Sequence, residues 1–216
     1  MGNCEEALGE GGDDCRCGFE KGTQCDLLSV RWFAHASSRV TADHQAWMSA
    51  LPHPITFRMG GARFAVVHGH SRDISEWVFA STPEGEKRVA LDELDVDGVI
   101  AGHSGLPFSH VLSDGRLWHN PGVIGVPAND GTPRVWYSVL EPGAGGIVIR
   151  HLALDYDVEG ARARMAEEGL PDAYRQTLKD GLWPNLDVLP TAEAEMTGKA
   201  LAFAPVTWTL PRRRVA

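Results

Sequence analysis

Apolar positions recur along this chain in two ways, as short runs on either side of turns and as helical stretches. Three pairs of short apolar runs flank glycine-containing turns, and each pair predicts a β-hairpin. The paired runs cover residues 55–59 with 62–67, 111–112 with 116–118, and 135–140 with 147–154. A further apolar run over 96–101 predicts a single short strand.

Helix signals separate these strands. Thr41 predicts the N-cap of a helix that ends before Pro52, and the residues Ser81–Glu84 have the capping-box spacing that opens a helix to about Leu94. The other predicted helices cover residues 27–33, 73–80, 158–168 and 172–179. Residues 9–25 are rich in glycine, aspartate and cysteine, and they predict a loop.

The mixture of strands and helices predicts an α/β layered domain. A chain of 216 residues is long enough for one domain with a sizeable core. We divide the chain into a domain over 1–182 and a Pro-rich C-terminal tail over 183–216, which either wraps the domain or is loose.

Composition and charge exclude several kinds of partner. No window holds 18 consecutive apolar residues, and no basic segment followed by an apolar one opens the chain, so we expect a cytoplasmic protein without a membrane partner. The net charge of -9 argues against a nucleic-acid polymer held on a broad basic surface. The basic run Arg212–Arg214 is expected to be a solvated tail. The sequence leaves a homo-oligomer open.

All four cysteines lie within the first 25 residues, at positions 4, 15, 17 and 25. A zinc or redox module built on them is one interpretation. However, Cys15 and Cys17 are separated by one residue, which departs from the usual two to four residues of a zinc knuckle. We therefore expect reduced thiols in a loop.

Two histidines follow predicted strands. His68 comes directly after the apolar run Phe64–Val67, and His103 follows Val99–Ala101 with one glycine between them. Ligands of open α/β sheets bind beyond the carboxyl ends of the strands, so the two imidazoles could converge on one metal ion. Either histidine alone is better explained as a core residue that is hydrogen-bonded to the backbone.

Together with Gly2-Asn3 upstream and Asn120-Pro121-Gly122 downstream, these positions resemble the later motifs of the calcineurin-like metallophosphoesterases. The resemblance covers residues 2 to about 154. It implies a four-layer α-β-β-α sandwich in which Asn3, His68 and His103 bind one of two adjacent divalent metal ions (Mn, Fe, Zn or Ni). It also implies that Asn120 and Gly122 belong to a loop on the phosphate side of the site.

The chain departs from the family pattern at the second metal ion. The last histidine of the family's Gly-His-X-His motif is Gly105 here, and the family's Asp-X-His and Gly-Asp-X-X-Asp motifs would precede Met1. We therefore expect an N-terminally truncated form of the fold with one depleted metal site. Phosphatases commonly carry a histidine at the position of Cys4.

The resemblance implies a hydrolase that acts on a small-molecule or nucleotide phosphomonoester or phosphodiester, impaired in this form. His70 and Cys4 are candidates for a supporting or substitute ligand, and His110 and His119 are further candidates. The alternative is a non-catalytic binding or regulatory protein that keeps the fold, and Gly105 is the residue that favours it.

Overall fold

The computed structural model describes residues 1–210, so the basic run Arg212–Arg214 lies outside the described residues. The strands are β1 Ile55–Met59, β2 Ala62–Val66, β3 Gly98–Ile100, β4 Phe108–Val111, β5 Leu117–Asn120, β6 Val135–Gly143, β7 Gly146–Leu154 and β8 Val206–Trp208. The helices are α1 Asn3–Gly9, α2 Gln24–Ser37, α3 Ala42–Ser49, α4 Glu84–Glu93, α5 Val158–Glu167, α6 Asp172–Asp180 and α7 Thr191–Ala194. The predicted α/β class is confirmed.

The strands form two sheets. The first has five strands in the order β1-β2-β3-β5-β4, and the second has three strands in the order β6-β7-β8. Strands β2, β3 and β5 run parallel, with Val66 opposite Ile100 and Ile100 opposite His119. The carboxyl ends of these three strands therefore meet at one edge of the sheet, where ligands of such sheets bind.

The apolar core lies on both faces of the first sheet. Phe64 and Leu117 on one face pack against Ile147, Ile149 and Trp208 of the second sheet. The opposite face packs against α4 through Ala90 and Leu91. The alternation of side chains along a strand explains how neighbouring residues of β2 serve these two separate clusters. A third cluster joins the first three helices, through Leu8, Phe33 and Met48 among others.

Most predicted elements are confirmed. The three hairpins are β1–β2, β4–β5 and β6–β7, each of them antiparallel. The Thr41 hydroxyl accepts a hydrogen bond from the His44 backbone N–H and caps α3, as its position predicted. Helices α2, α4, α5 and α6 and strand β3 also lie where the sequence placed them.

The helix predicted over residues 73–80 is wrong, because this segment is irregular. Its backbone carbonyls accept hydrogen bonds from side chains elsewhere in the fold, with Ser104 Oγ donating to Val78 O and Lys87 Nζ donating to Ala80 O, each at 2.7–2.8 Å. The Trp77 indole N–H donates to the Cys17 carbonyl at 3.1 Å. These tertiary contacts replace the bonds that a helix would make.

Three elements were not predicted, namely α1, α7 and β8. Helix α1 begins at Asn3, directly after Gly2 of the Gly-Asn motif. Strand β8 lies within the segment that was assigned to the tail, and it pairs with β7 through residues 206–208. Its Trp208 is buried in the core between the sheets. The domain division at residue 182 stays a prediction.

Candidate metal and ligand site

The ends of strands β2 and β3 bring His68 and His103 together. The backbone N–H groups of Gly102 and His103 both donate to the His68 carbonyl at 2.8 Å, which ties the two loops to each other. The two rings are hydrogen-bonded to each other, with His103 Nδ1 2.9 Å from His68 Nε2 and the proton on one of these two nitrogens. The predicted convergence of these residues at the sheet edge is therefore present in the structure.

Both imidazoles are held in the neutral form. Burial, together with a smaller effect of His68, lowers the pKa of His103 to about 4, against the opposing effects of the Cys17 carbonyl and Asp73. Burial also lowers the pKa of His68, against the opposing effect of Glu5. Neutral imidazole keeps a lone pair on one ring nitrogen, which is the form that binds metal ions.

Gly2 packs directly against His68. A Cβ added at Gly2 would lie 3.0 Å from His68 Nδ1 and 2.6 Å from Glu5 Oε2, so glycine is needed for this approach. The Gly2 N–H donates to Glu5 Oε2 at 3.0 Å, which places a carboxylate beside the imidazole pair. No sequence motif identifies Glu5, because its position depends on the turn that opens α1.

Asn3 is buried, and its amide nitrogen is directed towards the cysteine loop. Asn3 Nδ2 donates to the Cys15 carbonyl at 2.7 Å and lies 3.3 Å from Cys17 Sγ and 3.6 Å from Cys4 Sγ. All of the hydrogen bonds described for this side chain involve Nδ2, so Oδ1 is the oxygen that could coordinate an ion.

Cys15 and Cys17 form a disulfide, so the expectation of reduced thiols is wrong for this pair. The one residue between them, Arg16, has a positive φ of 51°. Cys4 and Cys25 are free thiols. Burial, with a smaller effect of Glu5, raises the pKa of Cys4 to about 11, so this thiol stays protonated at neutral pH.

Asn120 connects the loop after β5 to the loop after β3. Its Nδ2 donates to Ser104 Oγ at 3.0 Å, and its Oδ1 accepts from the Gly122 N–H at 2.9 Å. Gly122 has a φ of +82°, and an added Cβ would lie 2.6 Å from the Cβ of Trp136. Both residues therefore shape the loop that carries His103.

The other candidate histidines point elsewhere. His70 Nε2 contacts the Glu86 carbonyl at 3.1 Å, and its ring stacks on Trp118. His110 Nδ1 lies 3.0 Å from Lys87 Nζ, and His119 Nδ1 lies 2.9 Å from Ser109 Oγ. The structure does not bring these three rings to the His68–His103 pair.

The residues present fit one divalent ion in part. Two imidazole nitrogens bound cis to one ion at about 2.1 Å lie roughly 3.0–3.4 Å apart, which is close to the 2.9 Å separation of His68 Nε2 and His103 Nδ1. Within residues 1–210, however, no group of three His, Cys, Asp or Glu side chains could hold a metal ion. An ion here would need Asn3 as a further ligand, and Gly105 offers no side chain to a second ion.

A cavity of about 240 Å³ opens beside His103. Side chains from separate segments form its wall, among them Phe19, Trp77, Tyr174 and Trp183. The Trp77 ring centroid lies 4.3 Å from that of His103. No local motif links these aromatic residues, because they come from three separate regions of the chain. His68 lines a separate cavity of about 180 Å³, together with Gly2 and His53.

No protein-family model and no curated protein sequence matches the chain. Among solved structures, it is similar to a hypothetical protein from Pyrococcus horikoshii, with a TM-score of 0.65 and 12% identity over 85% of this chain and 72% of that one. It is also similar to a metallophosphoesterase from Sphaerobacter thermophilus, with a TM-score of 0.60 and 22% identity over 84% of this chain and 75% of that one. The fold is therefore of the metallophosphoesterase type.

Proposed function

From this fold and the paired imidazoles, we propose that the chain binds one divalent metal ion through His68, His103 and the amide oxygen of Asn3. The ion would hold the phosphate group of a small-molecule or nucleotide phosphate ester, and the proposed reaction is hydrolysis of that ester. The observation that carries the proposal is the 2.9 Å separation of two facing imidazole nitrogens at the carboxyl ends of parallel strands.

The electrostatics of the site support the same assignment. Both imidazoles are neutral, so the pair needs no net loss of a proton to bind a cation. The proton of the hydrogen bond between His68 Nε2 and His103 Nδ1 would move to the other nitrogen of its ring. A bound divalent ion supplies positive charge that neutralises phosphate oxygens and lowers the pKa of a coordinated water. Glu5 adds negative charge beside His68, which favours a cation at this position.

The protein's own residues then have distinct parts. His68 and His103 bind, and the hydrogen bonds from Asn3 Nδ2 to the cysteine loop orient its amide. Asn120 and Ser104 hold the loop that carries His103. Cys4 stays protonated, so it serves neither as a thiolate ligand nor as a nucleophile.

A non-catalytic binding function is the second candidate, and Gly105 is the observation that favours it. This residue has a φ of +67°, and an added Cβ would be in ordinary contact with Val123 at 3.4 Å. A side chain at this position would be strained, and the loop as built offers no ligand for a second ion. Hydrolysis that depends on two ions would then be absent, while the first ion and a phosphate could still bind.

Metal binding tests the proposal most directly. Titration of the chain with Mn²⁺ in a calorimeter should show one site, and His68→Ala should weaken it by at least about tenfold, since one of only three ligands is lost. His35→Ala is the matched control, because His35 lies on α2 beside Arg39. Equal affinity in the His68→Ala and His35→Ala variants would contradict the assignment.

Hydrolysis separates the two candidate functions. We expect the wild-type chain with Mn²⁺ to release 4-nitrophenol from bis(4-nitrophenyl) phosphate, and we expect His68→Ala to abolish this release. A chain that binds one Mn²⁺ through His68 but shows no turnover is the result expected of the non-catalytic binding protein.

A further inference from the structure

The cavity beside His103 has a lining that the proposed metal site does not explain. Its volume of about 240 Å³ is slightly below the roughly 300–1,000 Å³ typical of drug-sized sites, which suits one ring system. Four aromatic side chains contribute to its wall, from the loop before α2, the segment before α4, helix α6 and the segment after α6. Aromatic walls of this kind bind flat π-systems by stacking and edge contacts.

We propose that this cavity binds a planar aromatic group of the phosphate ester, such as a nucleobase or an aryl ring, beside the His68–His103 pair. The inference rests on the proposed function for the phosphate end of the ligand, and on the cavity alone for the aromatic end. A group stacked on Trp77 would lie next to His103, because the two ring centroids are 4.3 Å apart. The ester bond would then reach the imidazole pair.

The indole rings of Trp77 and Trp183 in the cavity wall are each held by a hydrogen bond, which favours a fixed binding geometry. The Trp77 indole N–H donates to the Cys17 carbonyl at 3.1 Å, and Phe19 packs against Trp77 with ring centroids 5.6 Å apart. The Trp183 indole N–H donates to the Pro127 carbonyl at 2.8 Å. Since these rings are already oriented, little side-chain entropy is lost when a ligand stacks on them.

Tyr174 lines the cavity, and a hydroxyl group in its wall would favour a substituted ring over a plain hydrocarbon chain. Burial raises the pKa of Tyr174 to about 12, so its hydroxyl remains a hydrogen-bond donor at neutral pH. None of the hydrogen bonds described within residues 1–210 engages this hydroxyl. An alkyl chain would cover it without offering an acceptor, whereas a nucleobase or nitroaryl group offers several.

The test uses ligand binding without metal, so that it does not depend on catalysis. The indole N–H resonances of a ¹⁵N-labelled chain would be followed by NMR in EDTA, during titration with adenosine 5′-monophosphate, 4-nitrophenyl phosphate and methyl phosphate. We expect the two aromatic esters to shift the Trp77 and Trp183 signals, and methyl phosphate to leave them unchanged. The aromatic ester that binds with the higher affinity shows whether the cavity prefers a nucleobase or an aryl ring.

Two variants on the cavity wall are compared with one outside it. Trp77→Ala should weaken binding of the aromatic esters by about tenfold, as loss of one stacking platform does. Val188→Phe should also weaken it, because it fills the cavity and leaves the aromatic walls in place. Trp47→Ala removes an indole that is 61% exposed and does not line the cavity, so it should leave binding unchanged.

The inference is overturned if aromatic esters shift neither indole signal, if methyl phosphate shifts them equally, or if Val188→Phe binds as the wild type does. Its failure is distinguishable from failure of the proposed function. If aromatic esters bind in EDTA but the chain shows no metal-dependent hydrolysis, the proposed hydrolase activity is contradicted and the aromatic site is supported. If alkyl and aryl esters are hydrolysed at equal rates and the indole signals do not shift, the aromatic site is contradicted and the proposed hydrolase activity is supported.

Discussion

Among the histidines whose pKa is lowered by burial, four form two pairs: His68 with His103, and His119 with His151. Two of them face each other at the sheet edge. The other two lie together near β5 and β7, with ring centroids 4.9 Å apart. Burial therefore keeps neutral both the pair that we propose as metal ligands and the pair that lies in the core.

The His119–His151 pair makes the stability of the fold depend on pH. Burial, and to a smaller extent His151, lowers the pKa of His119 to about 3. The unfolded chain, with a histidine pKa near 6.5, therefore binds more protons than the folded chain between about pH 6.5 and 3. The free energy of unfolding should fall as the pH drops through this window, by up to about 1.4 kcal/mol per pH unit for this one proton.

His119→Gln tests this dependence by chemical denaturation at pH 8 and pH 4. The variant should lose stability at pH 8, because it replaces a buried ring that contacts Ser109. The difference between its free energies of unfolding at the two pH values should nevertheless be smaller than in the wild type. An unchanged difference would show that His119 does not titrate in this way. Part of the slope should remain, because His68 and His103 are also buried.

At the scale of elements, the site is made by the segments that follow strands rather than by the strands themselves. The loop after β5 turns through Gly122, whose φ of +82° is favourable only for glycine. The adjacent backbone is fixed by the side chain of Asn120. The position of His103 therefore depends on a turn that lies almost twenty residues further along the chain, through the bond from Asn120 to Ser104.

Gly122→Ala should destabilise the protein by more than the strain of its backbone conformation. An added methyl group would lie 2.6 Å from Trp136 Cβ, which the buried Trp136 cannot easily avoid. We expect a loss of about 2–4 kcal/mol in the free energy of unfolding, from strain together with overpacking. Gly169→Ala is the matched control, since φ is +69° there and nothing lies within 4 Å. It should cost only about 1 kcal/mol, and equal losses in the two variants would contradict the steric argument.

The elements themselves were largely predictable from local sequence. The hairpins follow from turn chemistry, as at Gly60-Gly61, and the start of α3 follows from one capping residue, Thr41. The segment 73–80 was not predictable in the same way. Its helical pattern is real, but hydrogen bonds from distant side chains such as Ser104 and Lys87 determine its conformation.

At the scale of the whole molecule, the two sheets share one core, and β8 helps to close it. Trp208 packs edge-on against Phe64 of the first sheet, with ring centroids 5.5 Å apart. Its indole N–H donates to the Gly115 carbonyl in the β4–β5 turn at 2.8 Å. One residue near the C-terminal end of the described chain therefore contacts both sheets.

Trp208→Ala should reduce the free energy of unfolding by about 3–5 kcal/mol, the range for loss of a large aromatic side chain from a core. Trp47→Ala is the control at this scale too, because Trp47 is largely exposed and its loss should change stability by less than about 0.5 kcal/mol. Denaturant titrations of the two variants make the comparison. A small effect of Trp208→Ala would show that β8 does not contribute to the shared core.

The described residues contain no helix that is long and apolar enough to cross a membrane. The compartment of the protein, its oligomeric state and the domain division at residue 182 remain predictions from composition and sequence pattern.

The sequence by itself determined the α/β class, most helices and strands, and the two histidines at the strand ends. It could do so because turn chemistry, capping and apolar periodicity act over a few neighbouring residues. Only the tertiary structure decided that Cys15 and Cys17 are joined, that Glu5 lies beside His68, and that four aromatic rings surround one cavity. The disulfide depends on how its loop folds, and the other two features depend on contacts between residues far apart in the chain, which close packing selects and no local pattern encodes.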